Sequence, residues 1–391
     1  MLPIGEKCVR IFIMKIWEID MIKIFHTGDL HLDSAFCRLS HAERIAARKH
    51  QRDIFLKMIK YVSDGGFDIL LISGDLFDGR NISPETEECV ARAFASLDCP
   101  VVIAPGNHDP FALTPIYSSG RLPGNVYVFN SAEMQVLTFE ELSLQVCGFA
   151  FVESNTFETN ALEGFAPPIF DGVSVLCAHG ELNVPLSRTA PISSADIARC
   201  GFAYAALGHV HTADVTKKDG SVIAYCGVPE GRAFDELGEG GAMAVTIDGD
   251  SVVSTERVIL GERRFLLDSF DASDTESCSE LIGRICEYVK ARGYDKSTAL
   301  RLTVTGEVDM SFALDREAAQ TALGDILMLS EVIDRTYPRI DTRGLEADFT
   351  LRGEVYRVLL PRLESENRDT RRLAAEALSA ALLAIDGRDI K

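Results

Sequence analysis

The sequence predicts an α/β protein: two packed, mixed β-sheets flanked by helices, then a small α+β domain and C-terminal helices. Three observations predict it. Apolar strand-like runs alternate with helical periodicity through the first hundred or so residues, which calls for parallel strands joined by right-handed crossovers. Beyond residue 120 the helices thin out, and short strand-like runs separated by turn residues imply a second sheet packed on the first. Near Arg263-Arg264 the pattern changes again, to helix, strand and helix, and then to helix alone.

Residues 1–20 carry little pattern. The apolar run Ile11 to Met14 is too short for a signal-peptide core, and no small-residue cleavage site follows. They read as an uninformative extension, with Met14 and Met21 as internal starts. Met21 to His26 reads as a buried strand. The capping box Ser40-x-x-Glu43 opens a helix whose Ile54, Phe55, Met58, Ile59 and Val62 share a face up to Gly65-Gly66. Phe67 to Ile72 is the second strand. Ser83 and Pro84 start the next helix, with Val90, Ala91, Phe94 and Leu97 on one side. Val101 to Ala104 is the third strand. Runs at 126–129, 134–139, 142–150, 173–178, 203–207, 221–226, 242–247 and 252–258 then predict a largely antiparallel second sheet. Leu281, Ile282, Ile285, Cys286 and Val289 predict a helix closed by Gly293, Ala299 to Val304 a strand, and Asp315 a helix cap. Asp369 is the expected cap of the last helix. The domains expected are 21–262, 263–350 and 351–391, after the extension 1–20.

Composition excludes several classes. Lys plus Arg is 39 and Asp plus Glu 59, so the net charge is −20, which argues against a protein that coats nucleic acid through bulk positive charge. It leaves room for an enzyme holding DNA at a local groove. No run of ~18 apolar residues offers a membrane helix. The ten cysteines form no C-x-x-C pair, which excludes a zinc ribbon and fits a reducing, cytoplasmic setting. Cys177 and Cys226 read as core residues.

Chemistry concentrates at strand ends. Asp29-Leu30-His31 follows the first strand, Gly74-Asp75 the second and Gly106-Asn107-His108-Asp109 the third. His179-Gly180 follows VSVLCA, and Gly208-His209-Val210-His211 follows AYAAL. Five of the eight histidines fall in these motifs. Ligands at the C-terminal ends of parallel strands converge. Carboxylate, amide and imidazole donors without thiolate suit Mn²⁺, Fe or Zn²⁺, with Mg²⁺ a further option. Asp29, His31, Asp75, Asn107, His179, His209 and His211 are too many for one ion. Two ions ~3.5–4 Å apart sharing one carboxylate accommodate them, and Asp75, alone after the central strand, is the best bridge.

The order D-x-H, G-D-x-x-D, G-N-H-D, H-G, G-H-x-H resembles the calcineurin-like metallophosphoesterase family. DLHLDS, GDLFD, GNHDP and LGHVH are similar to its DNA-repair exonuclease branch, the SbcD- and YhaO-like nuclease subunits, and YCGVPEGRAFDELGEGG resembles the tail of that catalytic domain. The resemblance implies a four-layer sandwich, a capping domain and C-terminal helices. It implies Mn²⁺ as the metal, with one ion held by Asp29, His31, Asp75 and His211, and another by Asp75, Asn107, His179 and His209. His108 would act at the scissile phosphate, with Asp109 orienting its ring. The implied activity is DNA exonuclease and endonuclease cleavage by a two-metal-activated water, in a homodimer with an SMC-type coiled-coil ATPase. A phosphatase or cyclic-nucleotide phosphodiesterase is the alternative, and a catalytically idle scaffold a third reading that the full ligand set disfavours.

Other residues carry weaker readings. Asp33 and Asp78 either support ligands or cap turns. His26, His41 and His50 read as structural or surface residues. Arg44, Arg48 and Arg52 recur at helical spacing and read first as a solvated face, second as a phosphate-contacting stripe. Arg80, Arg188 and Arg232 are candidate DNA contacts on loops near the metal face. Leu351, Val355, Leu359 and Leu363 on one helix, and the Leu/Ala stripe of 373–385, read as core or as a docking surface for the ATPase.

Overall fold

The computed structural model describes residues 21–387 apart from 38, 80, 309–313 and 339–341, so the extension 1–20 and Arg80 lie outside the described residues. The chain divides into two compact units between Arg264 and Phe265.

In the first unit, strands β1 (Ile22–Thr27), β2 (Ile69–Ile72), β3 (Val101–Ile103) and β4 (Val126–Val128) run parallel, with Phe25 opposite Leu70 and Leu70 opposite Val101. The second sheet is built from β5 (Gln135–Phe139), β6 (Leu144–Gly148), β7 (Val173–His179), β10 (Tyr204–Gly208), β11 (Asp214–Lys218) and β12 (Ser221–Tyr225), in the order β11-β12-β10-β7-β6-β5. A short pair, β8 (Glu181–Leu182) and β9 (Pro191–Ile192), stands apart. β13 (Gly238–Asp248) returns to the first sheet antiparallel to β1, followed by β14 (Ser251–Asp271).

Two expectations fail here. The second sheet is not largely antiparallel: β6, β7, β10 and β12 run parallel, and only the edge strands β5 and β11 are antiparallel. Its crossovers are mostly loops, so helical periodicity never announced them. The runs at 126–129, 242–247 and 252–258 also belong to the first sheet, because strand order is not sequence order.

The helices follow local rules. α1 (His41–Gly65) starts on the Ser40–Glu43 capping box and ends at Gly66, whose φ of 59° needs no Cβ. α2 (Pro84–Ala95) has Ser83 as cap and Pro84 at its first position. Asp33 is part of this start: its carboxylate accepts from Ser83 N–H at 2.6 Å and Thr86 Oγ1–H at 2.9 Å. A short helix, α3 (Ser194–Arg199), precedes β10.

Alternation along the strands builds the layers. Ile24, Leu71 and Val102 face Val175, Cys177, Tyr204 and Cys226 between the sheets. Phe25, Leu70 and Val101 face Phe55, Met58 and Phe94 of the covering helices. Leu176, Ala205 and Ile223 meet Phe149, Phe151 and Phe202 on the far side. Each large buried side chain contributes ~1.5–3 kcal/mol of transfer free energy. His26 bridges the sheets, contacting Tyr204 Oη at 2.8 Å and Ser73 Oγ at 3.0 Å. Burial pushes its pKa down to about 3, so it is a neutral structural imidazole. Among the described residues the cysteines are free, and no helix is long and apolar enough to cross a membrane.

In the second unit, α4 (Cys278–Ala291), β15 (Thr298–Val308), α5 (Arg316–Gly324) and β16 (Leu329–Pro338) surround Leu281, Ile285, Leu302 and Leu323, and β15 and β16 are parallel. Asp315 caps α5 as its sequence position predicts. α6 (Leu351–Leu363) and α7 (Arg368–Ile385) pack on one another, with Val355, Leu359 and Leu363 against Leu378 and Leu382. Asn367, two residues before Asp369, caps α7.

Candidate metal centre

The loops leaving β1 and β2 stay paired beyond the sheet. Asp29 N–H donates to Gly74 O at 3.0 Å, His31 N–H to Asp75 O at 2.9 Å and Leu32 N–H to Leu76 O at 2.9 Å. Asp29, His31 and Asp75 take φ of 52°, 47° and 50°, a left-handed geometry that costs a non-glycine residue on the order of 1–3 kcal/mol. Two glycines allow the crowding. A Cβ at Gly74 would stand 2.3 Å from His179 Nδ1, and one at Gly106 would stand 2.2 Å from Asp75 Oδ1.

These turns bring together donors far apart in sequence. His31 Nε2 and His211 Nε2 stand 3.3 Å apart, with Asp29 Oδ1 4.0 Å from His211 Nε2. His179 Nε2 lies 2.8 Å from Asn107 Oδ1 and 3.3 Å from Asp75 Oδ2. The same Asp75 oxygen is 3.8 Å from His31 Nε2, so it faces both sets. Asp75 Oδ1 accepts from His108 N–H at 2.8 Å.

Supporting contacts set the tautomers. His179 Nδ1 lies 3.0 Å from Ser73 O and His211 Nδ1 lies 2.8 Å from Glu236 Oε1. Both oxygens accept only, so each ring carries its proton on Nδ1 and turns an Nε2 lone pair inward. Burial pushes the pKa of His179 to about 3 and those of His31 and His209 to about 4, which keeps the rings neutral. Burial, reinforced by the Asp75 charge, raises that of Asp29.

The donor set fits divalent cations. Two donors ~2.1 Å from one ion and ~90–109° apart stand ~3.0–3.4 Å from each other, close to the spacings seen here. With His179 protonated on Nδ1, a lone pair faces a lone pair between its Nε2 and Asn107 Oδ1, and a cation between them relieves that opposition. Asp29–His31–His211 and Asp29–Asp75–His179 are each compact enough to hold an ion, as is His31–Asp78–His108.

His209 stands next to His179, with ring centroids 5.1 Å apart, but its Nε2 is 3.9 Å from Glu181 Oε1 and joins none of these three groups. Its N–H donates to both Asp29 oxygens at 3.1 Å.

His108 is half-exposed at the rim, and its partner differs from expectation. Asp78, not Asp109, orients the ring, through a 2.8 Å contact between Oδ1 and Nδ1. That contact raises the pKa of His108. Asp109 is fully buried and bonds elsewhere. It accepts from the N–H groups of Gly106 (2.8 Å), Asp75 (3.2 Å) and Phe77 (3.2 Å) and from Tyr117 Oη–H at 2.5 Å. A side chain tied to that much backbone cannot also reach the neighbouring ring. Burial, reinforced by the Asp75 charge, pushes its pKa up to about 7.

The arginines divide. Arg232 is largely buried and holds Glu236 through its Nε and Nη2 while Nη1 donates to Ser34 Oγ at 3.2 Å. Arg188 is exposed and pairs with Glu158. Arg48 and Arg52 are not a solvated face: Arg48 Nε–H donates to Ser34 O at 3.0 Å, and buried Arg52 meets Glu85 at 2.8 Å. His50 meets Glu230 at 2.5 Å. Sequence reading missed Glu236 and Tyr117. Neither stands in a metal-ligand motif, and Glu236 lies 25 positions past His211.

Residues 22–213 match the calcineurin-like phosphoesterase family. The chain is 25% identical over 306 residues to the uncharacterized metallophosphoesterase YhaO of Bacillus subtilis, covering 73% of this chain and 72% of that protein. It is 27% identical over 229 residues to the DNA double-strand break repair protein Mre11 of Saccharolobus solfataricus, covering 56% of this chain and 57% of that one. Against Mre11 of Aeropyrum pernix the identity is 26% over 294 residues, covering 68% and 67%.

Proposed function

We propose that this chain, whose residues 22–213 match the calcineurin-like phosphoesterase family, is a two-metal phosphodiesterase whose substrate is DNA. The single observation that carries the two-metal reading is the position of Asp75 Oδ2, 3.3 Å from His179 Nε2 and 3.8 Å from His31 Nε2. In this reading Asp29, His31, Asp75 and His211 hold one ion, and Asp75, Asn107, His179 and His209 hold the other, Mn²⁺ being the metal of choice. Bound divalent ions supply Lewis acidity, neutralising phosphodiester charge and lowering the pKa of water.

The chain's own residues do the rest. The left-handed turns at Asp29, His31 and Asp75 fix the donors before any ion arrives. His108, held by Asp78 through Nδ1, is left with Nε2 to donate a proton to the leaving 3′-oxygen or steady the phosphate charge. The raised pKa of His108 keeps that proton in place at higher pH. Asp109 contributes by fastening the Asp75 and Gly106 turns together, not by touching substrate.

The DNA substrate rests on the similarity to two DNA double-strand break repair proteins. The homodimer and the coiled-coil ATPase partner rest on the motif resemblance alone, as does a DNA contact at Arg188. The Arg232 guanidinium is engaged by Glu236 and Ser34. A second reading, hydrolysis of small phosphate esters or cyclic nucleotides, is favoured by the net charge of −20. One assay separates them. Purified protein with Mn²⁺ is offered linear DNA, circular single-stranded DNA, cyclic AMP and p-nitrophenyl phosphate in parallel. Cleavage of the DNAs with negligible turnover of the small esters is expected, and the opposite pattern overturns the DNA reading.

A further inference from the structure

We propose that Glu236 and Arg232 are positioning residues that build one half of the metal centre: Glu236 aims His211, and Arg232 locks Glu236 to the loop that carries His31. This rests on the two-ion reading above and adds residues that lie outside the 22–213 family match.

The contacts form a closed ring between two histidines 180 positions apart. His211 Nδ1–H donates to Glu236 Oε1 at 2.8 Å, which leaves its Nε2 facing His31 Nε2 at 3.3 Å. Glu236 Oε2 accepts the backbone N–H of Arg232 at 2.7 Å, so the turn 232–236 is folded on its own carboxylate. The Arg232 guanidinium grips both oxygens of Glu236, and its free arm, Nη1, donates to Ser34 Oγ at 3.2 Å. Ser34 Oγ in turn donates to the carbonyl of His31 at 2.8 Å. The pair therefore connects the loop of one histidine to the ring of the other.

Burial makes the arrangement costly unless it has a purpose. The Glu236 side chain is only 4% exposed and that of Arg232 20%. A buried ion pair of this kind is weak evidence for stability, since apolar residues of similar volume often serve as well. Its geometry accounts for it: a carboxylate behind a ligating imidazole fixes the tautomer, fixes the ring plane and raises the basicity of the inward nitrogen. The other half of the centre does not use this device. His179 Nδ1 is held by the backbone carbonyl of Ser73 at 3.0 Å. Loss of Glu236 should therefore weaken one ion and spare the other.

The test uses the full chain stripped with chelator and titrated with Mn²⁺ by calorimetry, alongside far-UV circular dichroism and thermal unfolding of the metal-free proteins. The wild type is expected to bind two ions. In Glu236→Ala, one ion should weaken ~10–100-fold while the other stays within about threefold. Arg232→Met should weaken the same ion by less, since Glu236 still meets His211. Equal weakening of both ions, or no change in either, overturns the proposal. If Glu236→Ala does not fold, Glu236→Gln, which keeps the Oε1 acceptor and the volume, carries the test. Failure of that variant to fold as well makes the residue structural and overturns the positioning role. Fewer than two ions in the wild type overturns the two-ion reading and this proposal together. Two wild-type ions that Glu236→Ala leaves untouched overturns this proposal only.

Discussion

The two halves of the donor set are fastened differently. Around Asn107, Asp75 and His179, the holding groups are backbone: Ser73 O on His179, and the N–H groups of Asp75, Phe77 and Gly106 on Asp109. Around His31 and His211 they are side chains, Glu236, Arg232 and Ser34, drawn from two segments. His179 and His31, one from each half, are at 0% and 1% side-chain exposure, whereas His211 is 31% exposed. A site held by main chain tolerates surface substitution and fails through glycines and strand ends. A site held by side chains is tunable by single substitutions away from the metal.

Substitutions that cut across this division should separate the halves, beginning with the residue they share. Asp75→Asn removes charge from both and should lower phosphodiesterase turnover about 10⁴-fold, about 5 kcal/mol of barrier at 1.36 kcal/mol per tenfold. Wild-type turnover in that variant breaks the shared-bridge account. His108→Ala belongs to neither half. It should lose about 10²-fold in kcat while calorimetry still counts both ions. Loss of an ion there would make His108 a ligand.

Asp78→Asn is a smaller and sharper probe. The 2.8 Å contact with Asp78 raises the pKa of His108, so the protonated ring persists to higher pH. Without the carboxylate charge that pKa falls, and the basic limb of the kcat/KM profile should move to lower pH, with about a tenfold loss of rate above it. An unmoved limb means another group donates the proton. Asp109→Asn should act on folding more than on chemistry. It replaces one of two accepting oxygens at a buried junction of three N–H groups and a tyrosine hydroxyl, and should cost about 1–3 kcal/mol in urea unfolding. Arg188→Ala, at the exposed edge, should leave both ion affinities unchanged within error.

The same division explains what the sequence disclosed. The backbone-held half is compact in sequence: G-D and G-N-H-D place ligand, turn glycine and support within four residues, at the ends of runs whose apolarity marks them as buried strands. Hence the strand ends, the helix caps Ser40, Ser83 and Asp315, and the convergence of Asp29, Asp75 and His179 were all legible. Glu236 was not, because its partner lies 25 residues earlier and it stands beside Asp235 and near Glu239, acids of the same loop that its position does not tell apart. Asp78 and Asp109 are both one or three positions from a motif core, and spacing alone does not say which reaches the ring. The fold decides it, by burying Asp109 beneath Tyr117. The direction of the central strands of the second sheet was equally hidden, since turn residues mark where a chain bends but not whether it returns beside or beyond its neighbour.

The central claim is a two-ion centre with Asp75 Oδ2 between its halves, and anomalous diffraction from crystals soaked in Mn²⁺ tests it most directly. The account predicts two peaks, one against Asn107 and His179 and one against His31 and His211, each within ~2.0–2.3 Å of Asp75 Oδ2. A single peak, or a peak confined to Asp78 and His108, would contradict it.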